Sequence, residues 1–245
     1  MPFDRRVWLE ATTLARAGYR VTVICPQMKS FRAAHEVLED VEIFRYRLPV
    51  QGRSALGFVV EFAWCFLMTT ALSLRVAMFG RGFDVLHVCN PPETYWPLGA
   101  FWRLLGKRFV FDHHDLSPEM FTVKFGHRPL LHRMLLLNEW LTFRLANLVL
   151  TTNESHKEVA LMRGGKRPGD VHIVRSGPDT GRLQLREKDP DVAGGFQHLV
   201  AYLGEICKQD GVEHLVRAMR ILRDDYGRHD VGCVFVGGGP HQPEV

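Results

Sequence analysis

The sequence predicts an α/β protein whose strands and helices alternate to give parallel sheets with crossover helices. Three observations predict it. Strand-like apolar runs and helix-periodic runs succeed one another almost throughout the 245 residues. The alternation breaks over residues 180–197, a charged, glycine-bearing stretch without periodicity, and then restarts. That break predicts two α/β domains, 1–179 and 198–245, joined by a linker. Finally, the apolar run Phe109–Phe111 ends in Asp112, His113, His114 and Asp115. A helix-entry signal follows, with Ser117 as N-cap and Pro118 in the first helical position. The C-terminal end of a strand, just ahead of a helix, is where an open parallel sheet presents its ligand crevice.

The elements follow in order. Residues 4–17 predict a helix, with Asp4 as cap, apolar positions at Val7, Leu9, Leu14 and Ala15, and Gly18 as stop. Arg20–Cys25 is a strand ended by Pro26. The strand and glycine-rich turn that ordinarily precede the first helix of a doubly wound sheet are missing. Residues 27–40 are polar and irregular, which predicts a loop. Val41–Arg47 alternates as a half-exposed strand, and Gly52–Ser54 reads as loop.

Residues 55–79 are the most apolar helical stretch. Its uncharged part, Phe62–Leu74, is 13 residues between Glu61 and Arg75. A spanning helix needs about 20 apolar residues, so a transmembrane segment is not expected. A buried amphipathic helix is the first expectation, and a helix resting on a membrane face is the alternative.

Asp84–Val88 is a strand stopped by Pro91 and Pro92, and helix 93–105 is closed by Gly106. Past the central strand come a helix at 130–146, the strand Asn147–Thr152, and a helix opened by a capping box of Ser155 and Glu158. The strand Val171–Val174 runs into Arg175–Asp179. The second domain reads as strand His198–Leu203, a turn at Gly204, a helix at 212–225, strand Val231–Val236 and a Gly237–Pro240 turn.

Composition narrows the class. Apolar residues are 46% and charged residues 24%, as in a globular protein. A net charge of +4 is too weak to argue for nucleic acid, but it suits phosphate-bearing ligands or an anionic membrane surface. The five cysteines are scattered, without a CxxC pair, and read as buried thiols in a reducing compartment. No apolar leader opens the chain, so a cytoplasmic location is expected. The hydrolase elbow Gly-x-Ser-x-Gly and the zinc motif His-Glu-x-x-His are absent, and no dinucleotide fingerprint follows a strand.

Four stretches carry a family resemblance: Pro2–Ala11, Gly18–Pro26, Phe111–Pro118 and Tyr202–Val212. In this order, over nearly the whole chain, they resemble family-4 glycosyltransferases of the GT-B fold. The resemblance implies two Rossmann-like domains facing a cleft. It also implies sugar transfer from a nucleotide-sugar donor, with retention at the anomeric carbon, usually without a metal and with no further cofactor. A polyprenyl-linked or saccharide acceptor in surface polysaccharide synthesis is implied as the partner, with peripheral contact at the inner face of the cell membrane. Roughly 120 further residues would be expected after Gly237–Pro240 on the usual domain size, together with a first strand ahead of residue 1. The chain therefore reads as a piece of a larger enzyme. A non-catalytic acceptor- or membrane-binding module is the alternative.

The resemblance also implies site residues. The family keeps a histidine after the central strand, and His114 matches it best. His113 is the alternative, or a neighbour holding the loop. Asp115 and Glu119 are candidates for acceptor hydroxyls, or are helix-start charges favoured by the dipole. Arg5 and Arg6 are candidates for acceptor phosphate, or are a solvated pair. On the donor side the resemblance points to Gly204, Glu205, Lys208, Gly211 and Gly238. Gly204 would let a diphosphate approach the backbone. Glu205 and Asp210 stand where the family pattern places Arg and Lys, and Lys208 is the nearby cation. Arg175–Asp179 likewise departs from a usual Pro-Asn-Gly-Val-Asp.

Overall fold

The computed structural model describes residues 4–28, 30–49, 55–177, 181, 183, 184, 187 and 190–239. The expected loop at Gly52–Ser54 and part of the expected linker at 180–197 lie outside the described residues. Within the linker, Pro190–Ala193 forms a single 3₁₀ turn. The chain divides into two units, Met1–Gly177 and Pro178–Val245.

The first unit opens with α1 (Arg5–Arg16). Asp4 caps it, its carboxylate accepting the backbone N–H of Arg6 at 3.0 Å and of Val7 at 3.3 Å. Three strands form a small sheet: β1 (Val21–Pro26), β2 (His35–Leu38) and β3 (Val41–Tyr46), in the order β1-β3-β2. β1 and β3 run parallel. Ala11 of α1 packs with Val41 and Ile43 of β3, and this is the core of that sheet.

Two expectations fail here. Residues 35–38 are a strand and not a loop, antiparallel to β3 through the two-residue turn Glu39-Asp40. Both turn residues sit at positive φ (45° and 62°), the geometry that matches the twist of a tight hairpin. No glycine or asparagine announced the turn. With a neighbour on each side, β3 is central, so Val41 and Ile43 are fully buried and the strand is not half-exposed.

The expected buried amphipathic helix is also corrected. α2 (Ala55–Phe79) forms over the expected residues, but its apolar side chains are spread around the axis. One sheet can cover only one side of such a helix. Val59, Leu67, Met78 and Phe79 are therefore exposed. By length and composition Gly57–Phe79 is sufficient to cross a membrane, and 11% of its apolar window is buried.

The second sheet positions the site. β4 (Val85–Cys89), β5 (Arg108–His113), β6 (Leu148–Thr151) and β7 (Val171–Ile173) are parallel in that order. The crossovers are a 3₁₀ turn at Glu93–Tyr95 with α3 (Trp96–Leu104), then α4 (Ser117–Phe125) with α5 (Pro129–Leu145), then α6 (Glu154–Met162). Phe109, Phe111, Phe143 and Val149 are fully buried in the core between sheet and helices. Each such phenylalanine contributes about 1.5–3 kcal/mol of burial. α3 lies so close to β5 that a Cβ on Gly99 would be 2.6 Å from the Phe109 ring.

Two caps differ from expectation by a residue or two. Leu116 precedes α4, so Ser117 and Pro118 are its first two residues. α6 is capped by Asn153, whose Oδ1 accepts the His156 N–H at 2.9 Å, and not by Ser155. The carboxamide reaches the third backbone amide of the helix, which leaves Ser155 inside the first turn.

The second unit contains the parallel pair β8 (His198–Leu203) and β9 (Val231–Val236), joined through α7 (Val212–Asp224). Val212, Leu215, Met219 and Leu222 are the less exposed apolar positions of α7 and recur at helical spacing.

Candidate active site

His114 is the first residue beyond β5, and the end of β4 fixes its backbone. The Oδ1 of Asn90 accepts the N–H of His114 at 2.7 Å and that of Asp115 at 3.2 Å. Its Nδ2 donates to Glu93 Oε1 at 2.7 Å and to the Asp115 carbonyl at 2.6 Å. The whole hydrogen-bonding capacity of one buried carboxamide is thus used to shape this turn.

The His114 ring is 5% exposed, and its Nε2 lies 2.5 Å from Asp112 Oδ2. The contact joins a carboxylate to an imidazole nitrogen, so it favours the protonated ring. Burial alone would push the imidazole pKa down, but the adjoining Asp112 carboxylate outweighs it and leaves it raised. Asp112 is itself buried, which would raise its pKa. His114 and His87 more than offset this and hold it well below the usual carboxylate range. His87 Nε2 is 3.4 Å from the same oxygen and 3.8 Å from Glu10 Oε2. Glu10, on α1, is pushed up to about 7, first by burial and then by the charge of Asp112. A histidinium held by a carboxylate, with a second carboxyl that carries its proton near neutrality, can donate hydrogen bonds to an oxygen that gains charge.

His113 and His114 take opposite sides, because successive strand residues alternate. His113 is fully buried, its ring 5.0 Å from that of Phe143 and its Nε2 3.5 Å from Glu139 Oε1. Glu139 is equally buried, and Arg163 grips it at 2.6 and 2.8 Å. The same guanidinium is 2.5 Å from Glu119. Glu119 is therefore engaged by Arg163 in the first turn of α4.

An open cavity of about 530 Å³ lies at the C-terminal ends of β5, β6 and β7. Arg6 of α1, His114, Thr152, Asn153, His156 of α6, Arg175 and Ser176 line it. Arg6 and His114 come together there, while Arg5, His113, Asp115 and Glu119 are not among the lining residues. The residues after β6 and β7 were not anticipated. The strand-end rule that singled out His114 points equally to Thr152, Asn153, Arg175 and Ser176. His156 had no signal of its own. Its pKa is lowered by burial and then by His113.

Two groups could supply metal donors: His87, Cys89 and Asp112, and Glu10, Asp112 and His114. Within each, the donor atoms lie within 4.8 Å of one another. Asp112 Oδ2 already sits against His87 and His114, with Cys89 Sγ at 3.6 Å. All five cysteines are free and only partly buried, where full burial was expected.

In the second unit the strand ends interlock through backbone. The Gly204 N–H donates to the Val236 carbonyl at 3.1 Å, and the Ile206 N–H to the Gly238 carbonyl at 3.2 Å. At Gly237, φ is 150° and a Cβ would stand 1.8 Å from the Gly204 carbonyl oxygen, so only glycine fits. The Tyr202 hydroxyl lies 2.8 Å from the Glu205 carbonyl and 3.0 Å from Asp210 Oδ2. This gives the unexpected Asp210 a hydroxyl partner. Glu205 and Lys208 are exposed, and Gly211 takes a left-handed conformation (φ 62°) that starts α7.

Two α/β units with parallel strands, and ionisable groups gathered at the strand ends, define a GT-B fold. The structure resembles that of sucrose-phosphate synthase from Thermosynechococcus elongatus with a TM-score of 0.66 at 16% identity, over 96% of this chain and 65% of that one. The chain belongs to Glycosyltransferase Family 4, whose sequence profile matches residues 4–182. It is 21% identical over 265 residues to the chitobiosyldiphosphodolichol beta-mannosyltransferase of Candida glabrata. That match covers 96% of this chain and 58% of the relative, so the chain spans less than two thirds of that protein's length.

Proposed function

We propose that the chain belongs to an enzyme that moves a sugar from a nucleotide-sugar donor to a lipid-linked or saccharide acceptor, with retention at the anomeric carbon, in surface polysaccharide synthesis. The nucleotide sugar is a co-substrate, and no resident cofactor or metal takes part. The observation that carries the reading is His114 at the end of β5, 2.5 Å from Asp112 and lining the cavity. The acceptor oxygen bonds to the anomeric carbon as the bond to the diphosphate breaks. Its proton leaves with the departing phosphate oxygen. His114 hydrogen-bonds the reacting sugar or acceptor, so its contribution is positioning and charge stabilisation. On the donor side, Gly204, Glu205, Lys208, Gly211 and Gly238 border the diphosphate.

The enzyme works from the cytoplasm at the inner face of the cell membrane. The exposed apolar residues of α2 support peripheral contact there. Sugar transfer by the full-length enzyme tests the reading. His114→Ala should lower turnover by about 10²-fold or more, as for loss of a positioned proton-bearing group. Unchanged turnover would remove His114 from the mechanism. If the protein failed to float with anionic liposomes, the membrane part would fall.

A further inference from the structure

Three side chains converge on one oxygen beside the active-site turn. Asp112 Oδ2 has His114 Nε2 at 2.5 Å, His87 Nε2 at 3.4 Å and Cys89 Sγ at 3.6 Å. A carboxylate oxygen offers about two lone-pair sites. Three donors exceed that capacity, and His114 holds the closest position. His87 and Cys89 are left with a shared, half-served partner.

The strands fix this arrangement. His87 and Cys89 are two residues apart on β4, so their side chains share a face of the sheet. Cys89 stands opposite Asp112 in the parallel β4–β5 ladder. Glu10 of α1 reaches the same place, its Oε2 3.8 Å from His87 Nε2. Every one of these side chains is carried by a regular element.

The spacing is that of a coordination shell. Zinc bonds of about 2.3 Å to sulfur and about 2.0–2.2 Å to nitrogen or oxygen, at tetrahedral angles, set N and O about 3.4 Å apart and S and O about 3.6 Å apart. The His87–Asp112 and Cys89–Asp112 contacts have these separations, and the three donor atoms lie within 4.8 Å of one another. The overlapping group of Glu10, Asp112 and His114 fails the same test. Its 2.5 Å between His114 Nε2 and Asp112 Oδ2 is too short for two ligands of one ion. A thiolate beside an imidazole favours zinc over magnesium or calcium. His87 is 27% exposed, which gives an ion a way in.

We propose that His87, Cys89 and Asp112, with Glu10 as the fourth donor, bind a zinc ion that draws Asp112 away from His114. As the zinc–sulfur bond forms, the Cys89 thiol proton passes to solvent. The ion is an inhibitor and no part of the transfer. The inhibition rests on the role proposed above for His114, whereas the site itself does not.

Zinc and cobalt(II) titrations on the 245-residue chain, in a reducing and non-chelating buffer, test the site without turnover. Cobalt should give the charge-transfer absorption of a thiolate ligand, and zinc should displace it. Cys89→Ser should abolish that absorption and weaken zinc by about 100-fold or more, since outer-shell partners alone are worth about 10–100-fold. His87→Gln should weaken zinc by about tenfold or more. Cys233→Ser, on β9, should leave both metals unchanged. A retained amide NMR fingerprint confirms that the variants fold. If the parent chain gives no thiolate absorption with cobalt, or if Cys89→Ser binds zinc as tightly as the parent, the site does not exist. Sugar transfer by the full-length enzyme then tests the inhibition. Zinc should slow the parent far more than Cys89→Ser, and equal slowing of the two would remove the inhibitory role. A parent that binds zinc through Cys89 but transfers no sugar in its absence would refute the transferase reading alone.

Discussion

The strand ends of the two units solve one problem by different means. In the first unit, side chains do the work. Asn90 braces the turn, Asp112 holds His114, and Arg163 ties Glu139 to Glu119. In the second unit, backbone does it, as Gly204, Gly237 and Gly238 lie against one another with little but a tyrosine hydroxyl to assist. A side-chain network can store charge and tune protons. A glycine interlock has no titratable side chain and no proton to move.

The largest test of this contrast is Arg163→Met. It leaves Glu139, fully buried, without its cation. Urea unfolding should show a loss of about 3 kcal/mol, the lower end for a broken buried pair because Arg163 is 28% exposed. Adding Glu139→Gln should restore much of it.

Next is Gly237→Ala. The new methyl meets the Gly204 carbonyl at 1.8 Å, so the second unit should lose about 2 kcal/mol or more. Hydrogen exchange of β8 and β9 amides should accelerate while β5 amides keep their protection.

A third test is protonic. Because Glu10 titrates near 7 in the folded protein and at 4.5 ordinarily, the unfolded chain releases that proton first as pH rises. Folding is therefore weakened progressively between those two values, and the penalty is complete above 7. Glu10→Gln should flatten that decline in urea unfolding series. Asp112 acts in the opposite sense. Its lowered pKa contributes stability above its ordinary value of 3.8, which is lost on strong acidification. Asp112→Asn should remove that contribution and move the His114 imidazole titration, followed by NMR, to lower pH.

The smallest effect is expected for Tyr202→Phe, which releases the exposed Asp210 side chain and should barely shift unfolding.

The regular elements were legible because their signals are local. Asp4 followed by helical apolar spacing gave α1, and Phe109–Phe111 ahead of ionisable residues gave β5 and the site. The illegible parts depend on tertiary context. β2 pairs only because β3 offers an edge, and Glu39-Asp40 adopts the turn under that constraint. The faces of α2 have no periodic record, so only the folded chain shows which side the sheet covers. The alternation of His113 and His114 was implicit in the strand. Which one faces the cavity depended on where α5 places Phe143 and Glu139.

Asn90 gives the site a timekeeping property. Amides just past a strand normally exchange with solvent quickly, since no ladder protects them. Those of His114 and Asp115 are instead clasped by one buried oxygen from Asn90, the residue that follows β4. Their exchange clocks should therefore run with the sheet and not with the loop.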